Sequence, residues 1–458
     1  VKHSLEKHGL KEPAFREFVG AMTKGDVFTR LGFLIMGAGC AARGQIAKGL
    51  LLLAAQASYI YFMFSFGVVY LSDFATLGTV EQTTVWDEAV QINRVVPGDN
   101  SMMILLFSLL TIFISLIFLY VYFTSVRVGY QALKRHRAGA AMPTFIDDLK
   151  SLWNDKYHFV LLTLPTLGLL AFTVLPIIFM VAMAFTNLDR NHQPPGNLFT
   201  WVGFENFKEI FFSHPLKSRT FYRVLGWTLT WAVTATATCY IGGVALAILI
   251  NNKRVQLKNM WRTFFVITIA VPQFASLLFI RQLLNDNGTL NIVLQNLGMI
   301  TEPIKFLSTH ARITVLVVNF WIGVPYTMLI TTGILMNIPE DLFESARIDG
   351  AGPITIFRRI TLPYLFFVTA PFLITQFVGN INNFNVIFLL TNGEPRTLDY
   401  FQAGKTDLLI TWLYRQTVDE QNFNMAASIG IMIFIIVSVF SLITFNIVAS
   451  GKKEEEFQ

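Results

Sequence analysis

Eight long apolar runs, separated by polar segments of very different length, set the pattern of this 458-residue chain. They fall at 49–71, 101–124, 159–187, 221–250, 261–284, 312–335, 364–390 and 425–449. Each exceeds the roughly 20 residues that a helix rising about 1.5 Å per residue needs to cross a bilayer's hydrocarbon core. Lipid offers no partner to backbone N–H and C=O groups, so such runs predict helices. The pattern therefore predicts an all-α polytopic membrane protein with eight transmembrane helices. A further stretch, LGFLIMGAGCAARGQIAK at 31–48, is too short and glycine-rich to span. It reads as an interfacial or re-entrant approach to the first run.

Composition agrees with burial in lipid. The chain is 53% apolar and only 14% charged, against about 25% charged in a soluble domain. The charges that remain are unevenly placed. With the N-terminus inside, the inward pieces (1–48, 125–158, 251–262, 336–363 and 450–458) carry 23 lysines and arginines. The outward pieces (72–100, 188–220, 285–311 and 391–424) carry 9. That bias predicts a multi-pass cell-membrane protein with both termini cytoplasmic. It also accounts for the net charge of +6, and with no basic face interleaved with stacking aromatics no nucleic-acid partner is expected. The polar, mixed-charge opening carries no signal-peptide pattern. Cys40 and Cys239 stand alone in apolar surroundings and read as packing residues.

Within this frame some segments are out of place. The basic knot Lys134-Arg135-His136-Arg137 reads as a contact for anionic lipid headgroups. Prolines at 165, 176, 272, 325 and 371 predict kinked or broken spans. In the seventh run, QFVGNINNFNVIFLLTNG places Gln376, Asn380, Asn382, Asn383 and Asn385 in apolar sequence. Amides in hydrocarbon are costly. They form either interhelical bonds or a polar, uncharged path, and five are more than helix packing requires. Asn380 and Asn383, three apart, are expected on one helical face. At 405–418, KTDLLITWLYRQTV puts Leu408, Leu409, Trp412 and Leu413 at helical spacing and predicts an amphipathic helix on the outer interface.

The segment ESARIDGAGPITIFRRITLP, 344–363, lies between two spans. Pro339 can open a helix, Glu340 and Asp341 suit its positive end, and Gly350 offers a stop. Leu342, Phe343 and Ala346 give it a narrow apolar stripe. This predicts a short cytoplasmic helix parallel to the membrane that seats in a groove of another protein.

The same residues resemble a known signature, EAA---G---------I-LP, of binding-protein-dependent ABC importer permeases. Here it stands as Glu344-Ser345-Ala346, Gly350 and Ile360-Thr361-Leu362-Pro363, with serine in place of the first alanine. The stretches GVPY, NINNFN and LLTNGEP are similar to the MalF-type subunits of maltose and maltodextrin permeases. The resemblance implies an ABC importer permease (MetI/MalF-like) fold, with a core over 159–450 and a coupling segment at 339–363. Around that core lie an N-terminal and interfacial segment (1–48), two extra spans with a cytoplasmic linker (49–158) and a tail (451–458). It implies that Glu344, Ser345, Ala346, Asp349 and Gly350 dock on the ATPase. It also implies that Gly323, Tyr326, Gln376, Gly379, Asn380 and Asn383 line a sugar site. An aromatic common in the family at the position of Gly379 is absent, which implies a roomier site.

The implied partners are a second, MalG-like permease, a cytoplasmic ABC ATPase dimer, an extracellular sugar-binding lipoprotein, a maltodextrin and membrane lipid. The short outer segment 188–220 resembles Gram-positive versions, which lack an inserted domain there. The chain has no phosphate-binding G-x-x-x-x-G-K-[ST] loop, no H-E-x-x-H and no Cys/His cluster. No catalytic residue, metal or cofactor of its own is expected, and ATP and Mg belong to the partner ATPase. Another oligosaccharide or a glycerol derivative is an alternative cargo. An ion-coupled secondary transporter is disfavoured because carboxylates are nearly absent from the runs.

Overall fold

The computed structural model describes residues 13–88, 91–252 and 254–455, with side chains as far as Asn446. The first residues of the 1–48 segment and the end of the 451–458 tail lie outside them. Among the described residues, seven helices are long and apolar enough to cross a membrane: Ile46–Ser72, Ser101–Arg137, Tyr157–Met183, Pro215–Asn251, Ala311–Leu335, Pro353–Leu390 and Phe423–Asn446. The run between the fourth and sixth spans is not one rod. Lys258–Ala270 and Gln273–Leu283 meet at 90°, and counted as one span the pair gives the eighth predicted crossing. Pro272 lacks the N–H that would continue the ladder, and its ring displaces the carbonyl four residues back.

At the other prolines the chain is not broken as it is at Pro272. Pro165, Pro325 and Pro371 lie inside continuous helices. Pro176 and Pro363 each follow a π-helical turn, Leu170–Val174 and Phe357–Thr361 respectively. The widened turn makes room for a ring that would otherwise strike the preceding turn.

The chain divides into two compact units after Val202. The third span, grouped by sequence with the core at 159–450, packs in the first unit. There the first two spans are joined by Tyr59, whose ring stacks on Phe118 at 3.8 Å and whose hydroxyl bonds Ser115. Two strands, β1 (Thr83–Asp87) and β2 (Ile92–Val96), form an antiparallel hairpin in the connection between these spans. The second helix runs on to Arg137, well past the apolar run. On this extension sits the helix Ala14–Thr23. Its Glu17, 1% exposed, receives Arg127, Gln131 and Lys134 at 3.2, 2.7 and 3.2 Å. The basic knot is thus only partly a free surface, because Lys134 is engaged by Glu17 and Arg135 is buried.

In the second unit, the fourth and sixth spans share a core with the broken helices. Trp231, Leu277, Val315, Val386, Ile387 and Leu408 form one cluster. Phe221, Val224, Trp412 and Ile429 belong to another. The amphipathic segment forms a helix, Leu409–Val418, whose apolar stripe packs on protein instead of lipid. Trp412 is fully buried and its Nε1 donates to Phe401 O at 3.1 Å. The apolar stripe was legible; its partner is protein, because the polar side carries an anchor that sequence did not show. Arg415 Nη1 lies 3.0 Å from Asp407 Oδ2, both buried. The Gly404 N–H and the Thr411 hydroxyl also donate to Asp407, so the loop before this helix is tied down from within.

Candidate functional site

Three elements of the second unit enclose a cavity of about 370 Å³. The broken fifth span supplies Thr268, Ile269, Val271, Pro272, Gln273 and Ser276. Asn319, Trp321, Ile322, Gly323 and Tyr326 come from the sixth, and Gln376, Asn380 and Asn383 from the seventh. No charged side chain is among them. Five of the six residues implied by resemblance therefore lie around one space. Gly379 is not part of the lining; a Cβ there would meet nothing within 4 Å.

The seventh span is itself interrupted, which corrects the expected shared face of Asn380 and Asn383. Its helix Leu362–Ile381 stops, and Asn383 caps a second helix, Phe384–Leu390. The two asparagines reach the cavity from opposite sides of that break. Asn380 is 2% exposed and its Nδ2 donates to Thr236 Oγ1 at 2.9 Å. Asn383 Oδ1 accepts the Val386 N–H at 3.2 Å. Each side chain thus spends one end on structure: Asn380 keeps an acceptor, Oδ1, and Asn383 keeps donors on Nδ2. Asn382, by contrast, is exposed away from the cavity and bonds back to Val378 O.

Opposite these amides, Tyr326 is 48% exposed and offers a ring and a hydroxyl. Gly323 has a packing reason to be glycine, since a Cβ would stand 2.5 Å from Cys239 Sγ. Asn319, 6% exposed, places its amide nitrogen 3.5 Å from the same sulfur.

Asn319, Gln273 and Trp321 were missed by sequence reasoning. A signal existed: Gln273 and Ser276 are three apart just after a helix-breaking proline, and Asn319 is one turn before Gly323. Among the described residues no cluster of His, Cys, Asp or Glu is placed to hold a metal ion.

The segment 339–363 folds as a separate feature. A helix covers Glu340–Ile348, preceded by Pro339, with Asp349 as its last cap residue. Gly350 has φ +79° and its N–H bonds Arg347 O, while the Ala351 N–H bonds Ala346 O at 2.9 Å. That pair of bonds is a Schellman stop, which wants glycine at the left-handed position. Glu344, Ser345, Asp349 and Gly350 are exposed, Ala346 is half-buried, and Ile348 is 86% exposed.

Residues 240–450 match the family described as the binding-protein-dependent transport system inner membrane component. The galactooligosaccharides transport system permease protein GanP of Bacillus subtilis is 34% identical, over 85% of this chain and 94% of that protein. The maltodextrin transport system permease protein MdxF of the same organism is 33% identical, over 90% and 93%. The maltose/maltodextrin permease protein MalF of Escherichia coli is 35% identical but aligns over 54% of this chain and 49% of that one. Among solved structures, a bacterial ABC transporter involved in the import of alginate has a chain with a TM-score of 0.55. It is 22% identical and covers 66% of this chain and 98% of its own, a likeness of fold. The chain therefore belongs to the inner membrane component, or permease, family of binding-protein-dependent transport systems.

Proposed function

We propose that this chain is the permease subunit that carries a maltodextrin-type oligosaccharide across the cell membrane, with the cavity between the broken fifth, sixth and seventh helices as its sugar site. The uncharged lining carries this reading. A neutral polyhydroxylated ligand needs no counter-ion, only donors and acceptors beside an apolar surface. Asn380 Oδ1 and Asn383 Nδ2 offer one of each, and a sugar hydroxyl is both donor and acceptor. Tyr326 and Trp321 offer faces for the apolar side of a sugar ring. The names of the relatives support a sugar as cargo.

Chemistry comes from elsewhere. The chain supplies no nucleotide site; a cytoplasmic ATPase dimer using ATP and Mg drives the cycle, a second permease completes the pathway, and a tethered binding protein delivers the sugar outside. The termini are cytoplasmic, on the charge bias. Closure of the ATPases moves the helix Glu340–Ile348, which leads through the π turn at Phe357–Thr361 into the seventh span and so to Asn380. Alternating exposure of the amide-lined cavity follows.

A galacto-oligosaccharide is the second reading, favoured by the 34% identity to GanP. The test is uptake by the reconstituted transporter of a labelled maltohexaose and a labelled galactotetraose. Transport of the first in strong preference supports the proposal. Preference for the second replaces the cargo but keeps the site, and transport of neither overturns the sugar reading.

A further inference from the structure

We propose that two amphipathic helices of the first unit, Ala14–Thr23 and Phe145–Trp153, lie embedded in one leaflet as a lipid-binding collar around the first two spans. Both helices turn a polar residue inward and an apolar face outward. On the first, Glu17, Gly20 and Ala21 are buried, while Phe15, Val19 and Met22, at spacings of four and three, are exposed. On the second, Phe145, Ile146, Leu149, Leu152 and Trp153 are exposed along one face. Its start is fixed by a capping box between Thr144 and Asp147. Apolar faces of this kind, in a chain that crosses a membrane, need a cover.

Their depth points to lipid as that cover. Counting about 20 residues at about 1.5 Å each from Ser101 places the hydrocarbon boundary of the second span near residue 121. Phe18 stacks on Phe123 at 4.5 Å, so the first helix reaches that boundary and runs outward from it along the second span. The second helix ends at Trp153, just before the third span begins at Tyr157. Its Asp148 is held 2.9 Å from Lys48, near the start of the first span.

Ion pairs thus hold each helix beside the end of a membrane span. The exposed apolar row also continues through Val27, Phe28, Leu34 and Ile35 to Ile46 and Leu50 of the first span. Exposed apolar side chains thus recur from these helices into the first span. Arg16, Lys24, Arg30 and Lys150 are exposed beside these faces, suited to anionic headgroups.

The test uses the full chain in vesicles of phosphatidylethanolamine and phosphatidylglycerol, with Cys40 and Cys239 replaced by alanine. Single spin labels go at Val19→Cys, Leu149→Cys, Arg16→Cys and Lys150→Cys, and collisions with oxygen and with a water-soluble nickel chelate are compared. Labels at 19 and 149 should meet oxygen several-fold more readily than nickel, with the order reversed at 16 and 150. Nickel preference at 19 and 149 means these faces see water and overturns the collar. Shielding from both reagents means that protein covers them, which also overturns it.

Discussion

Asn383 does two things at once, and a pair of substitutions separates them. Its Oδ1 caps the helix Phe384–Leu390 through Val386 N at 3.2 Å, and the residue lines the cavity. Asn383→Leu removes both roles. Loss of a cap costs about 1 kcal/mol, and leaving a ligand hydroxyl unpaired costs about 1–3 kcal/mol, or roughly 5- to 150-fold in affinity. Asn383→Ser keeps an oxygen that can cap, but its side chain is shorter and has no amide to reach the ligand. The leucine variant should therefore lower both the melting temperature and the apparent affinity for maltodextrin. The serine variant should lower affinity by a similar factor at nearly unchanged melting temperature. The assays are thermal unfolding of the assembled transporter and concentration-dependent uptake in proteoliposomes. Normal uptake affinity in Asn383→Ser would show that the nitrogen serves no ligand and that this asparagine is a cap alone.

Further tests follow from other contacts. Gly350→Val forces a β-branched residue to φ +79°, at a cost of about 1–2 kcal/mol. It should insert normally but lose sugar-stimulated ATP hydrolysis by the complex, measured with binding protein present. Gly323→Ala should impair transport by driving a methyl into Cys239 Sγ, and Cys239→Ala in the same chain should restore part of it; equal activity in single and double variants would refute the clash. Arg415→Ala leaves Asp407 buried without its partner and should cost about 3–5 kcal/mol, read as a lower melting temperature. For orientation, single cysteines at Gly196 and Leu398 should react with an impermeant maleimide in intact cells, while one at Arg137 should react only after permeabilisation.

How much of this was legible in the sequence depended on whether a local pattern decided the outcome. The spans were, because an apolar run of sufficient length has few options in lipid. The stop at Gly350 was also visible, since glycine after a short helix is a local rule. The partner of an apolar face was not. Leu409 and Trp412 gave the right helix and the wrong neighbour, because only the fold brings Phe221 and Ile429 against them. The same limit applied to Asn383. Spacing put it on a helix with Asn380, but the amide oxygen could end one helix and begin another. Gln273 and Ser276 were hidden for a simpler reason: each is an ordinary polar residue until the 90° turn at Pro272 aims its segment into the cavity.

That turn also constrains how the membrane stays sealed. The helical ladder is interrupted where Lys258–Ala270 ends and Gln273–Leu283 begins, and again at Asn382, and a helix that ends inside the membrane has terminal carbonyls that its own ladder does not pair. Hydrocarbon cannot satisfy them, so the space they surround must stay hydrated whenever no cargo fills it. A wet chamber of this kind cannot close by collapsing its walls together. Whatever stops ions and protons from leaking through it must therefore lie above and below, in constrictions that never open at the same time.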